Sequence, residues 1–437
     1  MKKSLLFISI LIFCAILIEK KQFTTGEEYK ILTLDGAWCW FSEPRAYYYK
    51  GKFERIYAGW IDQYGNISVG YVDLKTRIVK TKILHENFEI DDHDHPVVYL
   101  DNEGFVNVYY TYHATPKPIY YYRSKYPENI ELWEECKLLY LNDTNEYKGF
   151  RNSYTYANIT ALKKENYKQY LFWRGMDFKP NLAIKDSIWN KGKIFILPER
   201  IYKDRRPYLR MYSNEYDKIH FAFTDGHPRN EKYNSIYYMY YRNGKLYKAN
   251  GDIIAEFKDI PIVPSKTDVV YDAKLTGEKA WIWDVAEDIN GYPVIVYSRF
   301  PNDSNHLYYY SRWNGKKWVN YFVVNSGKWF PQTPSGEKER EPNYSGGMSI
   351  DFNDVSTIYI SIQRNGIFEI EKWIFDKKTE KWSIKPITYN SKNHNVRPVV
   401  ARNNKNKNYT YIFWMNIEKY IHYTDYKTSI RYAIVKN

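Results

Sequence analysis

The sequence predicts an all-β fold, a seven-bladed β-propeller built from four-stranded antiparallel blades. Three observations carry this. Short apolar and aromatic strands recur in units of roughly 50–70 residues, about seven times over, which is the period of a propeller. Aromatic residues make up 19 % of the chain, with 47 Tyr, 14 Trp and 21 Phe, and such rings favour pleated, half-buried surfaces. Turn signals punctuate the units at Tyr64-Gly65-Asn66, Asn102-Glu103-Gly104, Asn243-Gly244, Asn290-Gly291 and Asn314-Gly315. Asn-Gly and Gly-Asn pairs supply the positive φ that tight hairpins need.

Taken in order, the units lie near 36–83, 93–140, 153–200, 206–258, 279–325, 343–388 and 395–436. The fifth is the clearest. It runs Ala280-Trp281-Ile282-Trp283-Asp284-Val285, Tyr292-Pro293-Val294-Ile295-Val296-Tyr297, His306-Leu307-Tyr308-Tyr309-Tyr310 and Lys317-Trp318-Val319. No helical period appears after residue 30, and the units are too long for the coils of a β-helix; a pair of β-sandwiches is the other all-β alternative. An open sheet edge invites pairing with another chain. Residues 28–34 are therefore expected to close the ring on the last blade, which makes 28–437 a single domain.

Residues 1–22 read as an export signal or signal anchor. Lys2-Lys3 precede an apolar run from Leu5 to Ile18, too short for a comfortable membrane span. The expected location is secreted, periplasmic or at the cell surface, with no stable membrane partner once the segment is cleaved, and the expected state is a monomer. Outside that segment only Cys39 and Cys136 remain, enough for one disulfide and too few for a Cys-rich zinc site. The formal charge of +13 fits either a lysine-rich solvated surface or attraction to a polyanion. No RNP, zinc-finger or helix-turn-helix signature points to nucleic acid, which leaves an acidic polysaccharide as the partner.

Polar groups concentrate at strand ends in a few places. Asp91-Asp92-His93-Asp94-His95-Pro96 packs two imidazoles among carboxylates, and ionised groups stay buried only when paired. The acids would orient His93, and His113 ends the strand that follows. A metal pair of His93 and His95 lacks a third spaced ligand. Tyr154 and Tyr156 open the third unit. Arg174 ends an apolar strand there, where a guanidinium pairs with an acid or faces a ligand. Arg206, Tyr208 and His227 cluster in the fourth unit, and Tyr344 precedes Gly346-Gly347 in the sixth. Trp38 and Trp40, with Glu43-Pro44-Arg45, could form a sugar-stacking wall or belong to the core.

Several of these motifs resemble the BNR-4 repeat family, which includes the ulvan lyases of polysaccharide lyase families 24 and 25. They are Asp35-Gly36-Ala37-Trp38-Cys39-Trp40-Phe41 with Pro44-Arg45-Ala46, Asp91-Asp92-His93 with Pro96, Phe172-Trp173-Arg174-Gly175, and Phe223-Thr224-Asp225-Gly226-His227-Pro228. The resemblance implies a seven-bladed propeller. It also implies a catalytic set of two His, a Tyr and an Arg, which fall by motif and order on His93, His113, Tyr156 and Arg174. Tyr154 is the competing tyrosine, because the Tyr-to-Arg spacing is slightly longer here, and Ala157 stands where relatives often carry Pro. Trp38, Arg45, Tyr154, Arg206, Tyr208, His227 and Tyr344 are expected to contact substrate. No cofactor is expected for catalysis. Some members hold a structural zinc, whose ligands the sequence leaves unknown.

The implied reaction is an exported lyase's β-elimination on a uronate-containing glycan. It removes the C5 proton beside the carboxylate and expels the oxygen at C4. Arg174 with one histidine would neutralise the carboxylate as enolate-like charge develops, and a base must reach C5. A free tyrosine has a pKa of ~10, too high for that task. A cation at about 4 Å in an effective dielectric of ~20 contributes roughly 4 kcal/mol, enough to make a phenolate accessible. The alternatives are a non-catalytic glycan-binding propeller and a glycoside hydrolase. The latter needs paired carboxylates, and Asp91, Asp92, Asp225 and Asp284 are scattered.

Overall fold

The computed structural model describes residues 29–199, 206–302, 305–327 and 346–437. They form seven antiparallel sheets, each visited in sequence order. The first three blades comprise Ala46–Lys50 to Val79–His85, Val97–Leu100 to Lys137–Leu139, and Thr155–Leu162 to Lys193–Ile194. The fifth and sixth run from Lys279–Glu287 to Trp318–Asn325 and from Met348–Ile350 to Lys381–Pro386. The first strands of neighbouring blades meet around the axis. One helical turn, Ala273–Thr276, is the only α-helix among the described residues, and no described helix is long and apolar enough to cross a membrane.

Closure follows the expectation. Strand Lys30–Thr33 pairs with Asp425–Lys436 as the outermost strand of the seventh blade, whose other strands are Tyr409–His422 and His394–Val400. One sheet thus joins the two ends of the chain and leaves the ring no open seam. The fourth blade departs from four strands. Its fourth strand, Lys245–Tyr247, covers only the Tyr240–Arg242 end of the third. The uncovered groups of Ile236, Tyr237 and Tyr238 pair instead with Asp268–Tyr271, and Ile253–Glu256 extends the edge, giving six strands.

Antiparallel order fixes two faces. Loops leading into a first strand, and connections from second to third strands, lie on one face, called upper here. Connections from first to second and from third to fourth lie on the lower face.

Polar side chains from the inner strands converge at the axis. The Glu43 carboxylate accepts from Arg45 at 2.7 Å and from Arg210 at 2.9 Å. Asp284 accepts from Arg402 at 3.0 Å, from the Ser349 hydroxyl at 3.1 Å and from the Ile350 N–H at 3.1 Å. Burial would raise the Glu43 carboxyl, but Arg45, Arg210 and Arg402 outweigh it and hold the group well below its ordinary range. Breaking a buried pair from one side costs about 3–5 kcal/mol. Glu43→Gln, which leaves three guanidiniums around one carboxylate, is expected to lose about that much in urea unfolding. Arg210→Met, which leaves two of each charge, should lose distinctly less.

Candidate active site

The upper face opens into a cavity of about 210 Å³ lined by residues of blades two to five and seven. Its floor begins with the acidic turn. Asp92–Asp94 form one turn of 3-10 helix capped by Asp91, whose carboxylate accepts from the His93 backbone N–H at 2.9 Å. The same carboxylate takes Nδ1 of His93 at 2.6 Å and Nδ1 of His113 at 2.9 Å. The two imidazoles stack with centroids 3.9 Å apart and planes 11° apart, and Tyr423 packs edge-on against His93 at 4.8 Å. With each Nδ1–H donated to Asp91, Nε2 is the nitrogen left for the cavity.

Burial pushes the Asp91 carboxyl up, but the two imidazoles more than offset this and keep it ionised. His113 is pushed down to about 4, by burial first and then by His93, so it is neutral near pH 7. The turn itself is pinned from across the ring. Arg397 of the seventh blade donates to Asp92 at 2.6 Å and to the Trp38 carbonyl at 2.6 Å, lies 4.0 Å over the Trp40 ring, and donates to the Tyr420 hydroxyl at 2.8 Å. His95 is buried behind the turn, its Nδ1 accepting from the Cys39 N–H at 3.2 Å. Burial and Arg45 push it down to about 3, and it does not line the cavity.

Tyr156 and Arg174 arrive from the third blade. The register of the first strand slips between Thr155 and Asn158, and Tyr156 at the bulge has φ 59°. A non-glycine residue held there is strained, a recurrent feature of functional sites. Asn158 fixes the bulge by donating to the Tyr156 carbonyl at 2.8 Å and to the Phe41 carbonyl at 2.9 Å. Tyr156 lies 5.7 Å from His93, 5.5 Å from Phe41 and 6.3 Å from Tyr208, centroid to centroid. The Arg174 guanidinium carbon sits 4.6 Å from its ring. Arg174 is 5 % exposed and donates to the Tyr208 hydroxyl at 3.1 Å. No carboxylate pairs with it among the described residues. Desolvation works against its charge, but Tyr156 and Tyr208 more than restore it.

The fourth blade adds Arg206, Tyr208, His227 and Arg229, and the fifth adds Trp281. His227 Nδ1 accepts from the Arg229 N–H at 3.1 Å, which places a neutral ring's proton on Nε2. Burial first, then Arg229, Arg206 and Arg174, drive it well below its ordinary value.

Of the eleven site residues expected from sequence, seven meet in this cavity: His93, His113, Tyr156, Arg174, Arg206, Tyr208 and His227. Three do not. Trp38 is fully buried in the core and donates to the Arg397 carbonyl at 3.4 Å. Arg45 is spent on Glu43 and the Cys39 carbonyl at 3.0 Å. Tyr154 stacks on Trp173, and its hydroxyl accepts from the Asn142 N–H at 2.8 Å, away from the cavity. Side chains alternate across a strand, so Tyr154 and Tyr156 would share a face; the bulge intervenes and only Tyr156 reaches the site. Tyr344 and residues 1–22 lie outside the described residues. Sequence reasoning missed Phe41, Trp281 and Tyr423 as cavity residues. Phe41 lay in a quoted motif beside Trp40, whereas Tyr423 comes from a hairpin with no local chemical pattern.

Among the described residues, two donor sets could hold a metal ion, Asp91 with His93 and His113, and Cys39 with Asp92 and His93. Neither fits a structural zinc, which takes four ligands. The first set is already satisfied internally, and burial pushes the Cys39 thiol up to about 12. Cys39 and Cys136 are both free thiols.

The described residues therefore form a seven-bladed propeller with a basic, aromatic cavity on its upper face. The profile of the BNR repeat-containing family matches residues 55–326, and the chain belongs to that BNR-4 family. No curated protein sequence matches it. Among solved structures, a family PL25 ulvan lyase superimposes with a TM-score of 0.69 at 13 % identity, covering 92 % of this chain and 95 % of that one. The same lyase bound to -[GlcA(1-4)Rha3S]- gives a TM-score of 0.68 at 13 % identity, with the same coverage. The polysaccharide lyase Uly1 gives 0.59 at 11 % identity, covering 94 % and 100 %. These likenesses establish a shared fold.

The neutral His113 has a consequence for stability. Its folded value of about 4 lies below the ordinary 6.5, so between the two the unfolded chain binds a proton that the folded protein excludes. This contribution is full above pH 6.5 and declines as pH falls toward 4. His95 and His227 act in the same direction. Thermal midpoints measured from pH 7.5 to 4 should fall with acidification, and His113→Gln should make that fall shallower.

Proposed function

We propose that the protein is an exported polysaccharide lyase that cleaves an acidic, uronate-containing glycan of the ulvan kind by β-elimination. The observation that carries the reading is Arg174, a buried guanidinium in the cavity wall that lacks a carboxylate partner among the described residues. A buried charge without a partner is costly, and a substrate carboxylate would supply the missing counter-charge.

In this reading Arg174 pairs with the uronate carboxylate and stabilises the negative charge that develops there when the C5–H bond breaks. Tyr156, under the field of Arg174, takes the C5 proton as phenolate. The C5 electron pair forms the C4–C5 double bond, the C4–O bond breaks, and Tyr156 returns its proton to the leaving oxygen. The neutral His113 cannot neutralise a carboxylate as a cation. It offers an Nε2 lone pair instead, so His113 serves as a proton acceptor or orienting group and charge neutralisation falls to Arg174. A hydrolase is disfavoured because no Asp or Glu lines the cavity among the described residues. Asp91 is held by the two histidines, Asp92 by Arg397 and Asp284 by the axis. No cofactor takes part, and the substrate is the only partner this reading requires. Residues 1–22 would direct export, which removal of the segment followed by fractionation would test.

Purified protein mixed with ulvan and other polyuronates is expected to generate the ultraviolet absorbance of an unsaturated uronate. General acid–base groups contribute about 10²–10⁴-fold, so Tyr156→Phe should lower the rate by that order while Tyr154→Phe leaves it near the parent's. Binding with no unsaturated product on any polyuronate would reduce the protein to a glycan-binding propeller.

A further inference from the structure

The lower face carries a second feature that the cavity does not explain. A groove of about 940 Å³ runs between the first and seventh blades. It is bordered by the turn at 51–53, the connection at 74–78 and the start of strand Tyr409–His422. These are first-to-second and third-to-fourth connections, so the groove lies on the face opposite the candidate active site. A neighbouring trough of about 420 Å³ between the first and second blades shares Lys52, Phe53, Arg55 and Lys80 with it. Phe53 forms the ridge between them.

That ridge is built rather than incidental. Glu128 of the second blade accepts from the Lys52 N–H at 2.7 Å and the Phe53 N–H at 3.0 Å. Arg55 lies 3.8 Å over the Phe53 ring and is itself held by Asp73 at 3.2 Å and by the Glu128 carbonyl at 3.1 Å. Around this fixed ring stand exposed cations. Lys52, Lys75 and Arg77 form no ion pair among the described residues. Lys50 and Lys80 are themselves exposed and have only long contacts, to the half-buried Glu54 at 3.6 Å and the exposed Glu131 at 3.8 Å, which are weak in water.

We propose that this lower-face groove is a second binding site, for an extended acidic polysaccharide chain. Such a chain alternates anionic groups with the apolar faces of its rings, which match separated cations around an exposed aromatic ridge. Single-stranded nucleic acid needs successive ring platforms. Here Tyr71 and Tyr411 are buried, Arg55 already covers one face of Phe53, and the other exposed rings are Tyr409 in the groove and Tyr126 in the neighbouring trough. Only the choice of ulvan as probe rests on the lyase reading; the groove and its chemistry do not.

The test is retardation in native gels containing ulvan, with dextran as the neutral control. Arg174→Ala, altered only on the upper face, should still be retarded. Adding Lys52→Glu, Lys75→Glu and Arg77→Glu should weaken retardation about tenfold or more, a difference such gels resolve. Lys75→Gln with Arg77→Gln, on an exposed turn, gives a milder version with a smaller loss in the same direction. The triple change alone should leave turnover of short soluble oligosaccharides at the parent level. Unchanged retardation in the charge-reversed protein would overturn the proposal, as would a single-stranded oligonucleotide that competes better than ulvan. Absence of lyase activity would leave the gel result decisive, because retardation does not depend on turnover.

Discussion

Seven sheets closed around one axis force the inward side chains of their first strands into a space with little water, so each polar group there must find its partner in another blade. The Glu43 and Asp284 carboxylates meet this requirement together with Arg45, Arg210 and Arg402. Glu43 precedes the first blade, Arg210 lies in the fourth and Asp284 in the fifth; Ser349 of the sixth and Arg402, just past the seventh blade's first strand, complete the cluster. Five of seven blades are therefore tied through two carboxylates. Apolar packing between sheets would tolerate small rotations of a blade, whereas hydrogen-bonded charges in a low dielectric do not. The axis thus sets the angular position of the blades, and everything on the upper face inherits it.

The candidate site depends on that register because its parts come from different blades. Arg397 reaches from the seventh blade to Asp92 at the entry of the second, and it does so from a strand whose register slips between Val396 and Val399, with φ 55° at Arg397 itself. Tyr156 uses the same device in the third blade. In both places an extra residue in an inner strand re-aims one long side chain, which is what bulges beside active sites do. The backbone strain at these two residues is carried by the surrounding sheets, and the result is a wall in which Asp91, its two imidazoles, Tyr156 and Arg174 face one another.

Much of this was legible in the sequence. Strand periodicity and turn chemistry placed all seven blades, because both signals are local, whereas the closing strand, expected within 28–34 and found at Lys30–Thr33, followed from the need to leave no open sheet edge. That His93 and Arg174 belong to candidate-site stretches was legible too, since Asp91-Asp92-His93 and Arg174 are polar groups at the ends of apolar strands, and both residues line the cavity. What could not be read was which polar residues belong to the axis and which to the cavity. Arg45 and Arg174 look alike in sequence, each beside an aromatic cluster, yet one neutralises Glu43 and the other lacks such a partner among the described residues. Tyr154 and Tyr156 differ only through a bulge that no local residue announces. The six-stranded fourth blade escaped for a related reason, since the shortness of Lys245–Tyr247 becomes visible only against the length of Ile236–Arg242.

The electrostatics of the cavity follow from how its acids are used. Two carboxylates beside the site are turned away from it: Asp91 toward Nδ1 of both histidines, Asp92 toward Arg397 and Tyr420. Among the described residues, the wall that remains presents Arg174, Arg206 and Arg229. Burial and neighbouring cations remove the charge of His113 and His227 near neutral pH, which lowers the self-repulsion of so many basic groups in one place. Positive charge is thereby concentrated on guanidiniums, which cannot lose it, while the imidazoles keep lone pairs. A fixed cation for an anion and a separate acceptor for a proton is the division of labour that the proposed elimination beside a carboxylate would require, and the acids Asp91 and Asp92 are used for orientation rather than for charge neutralisation.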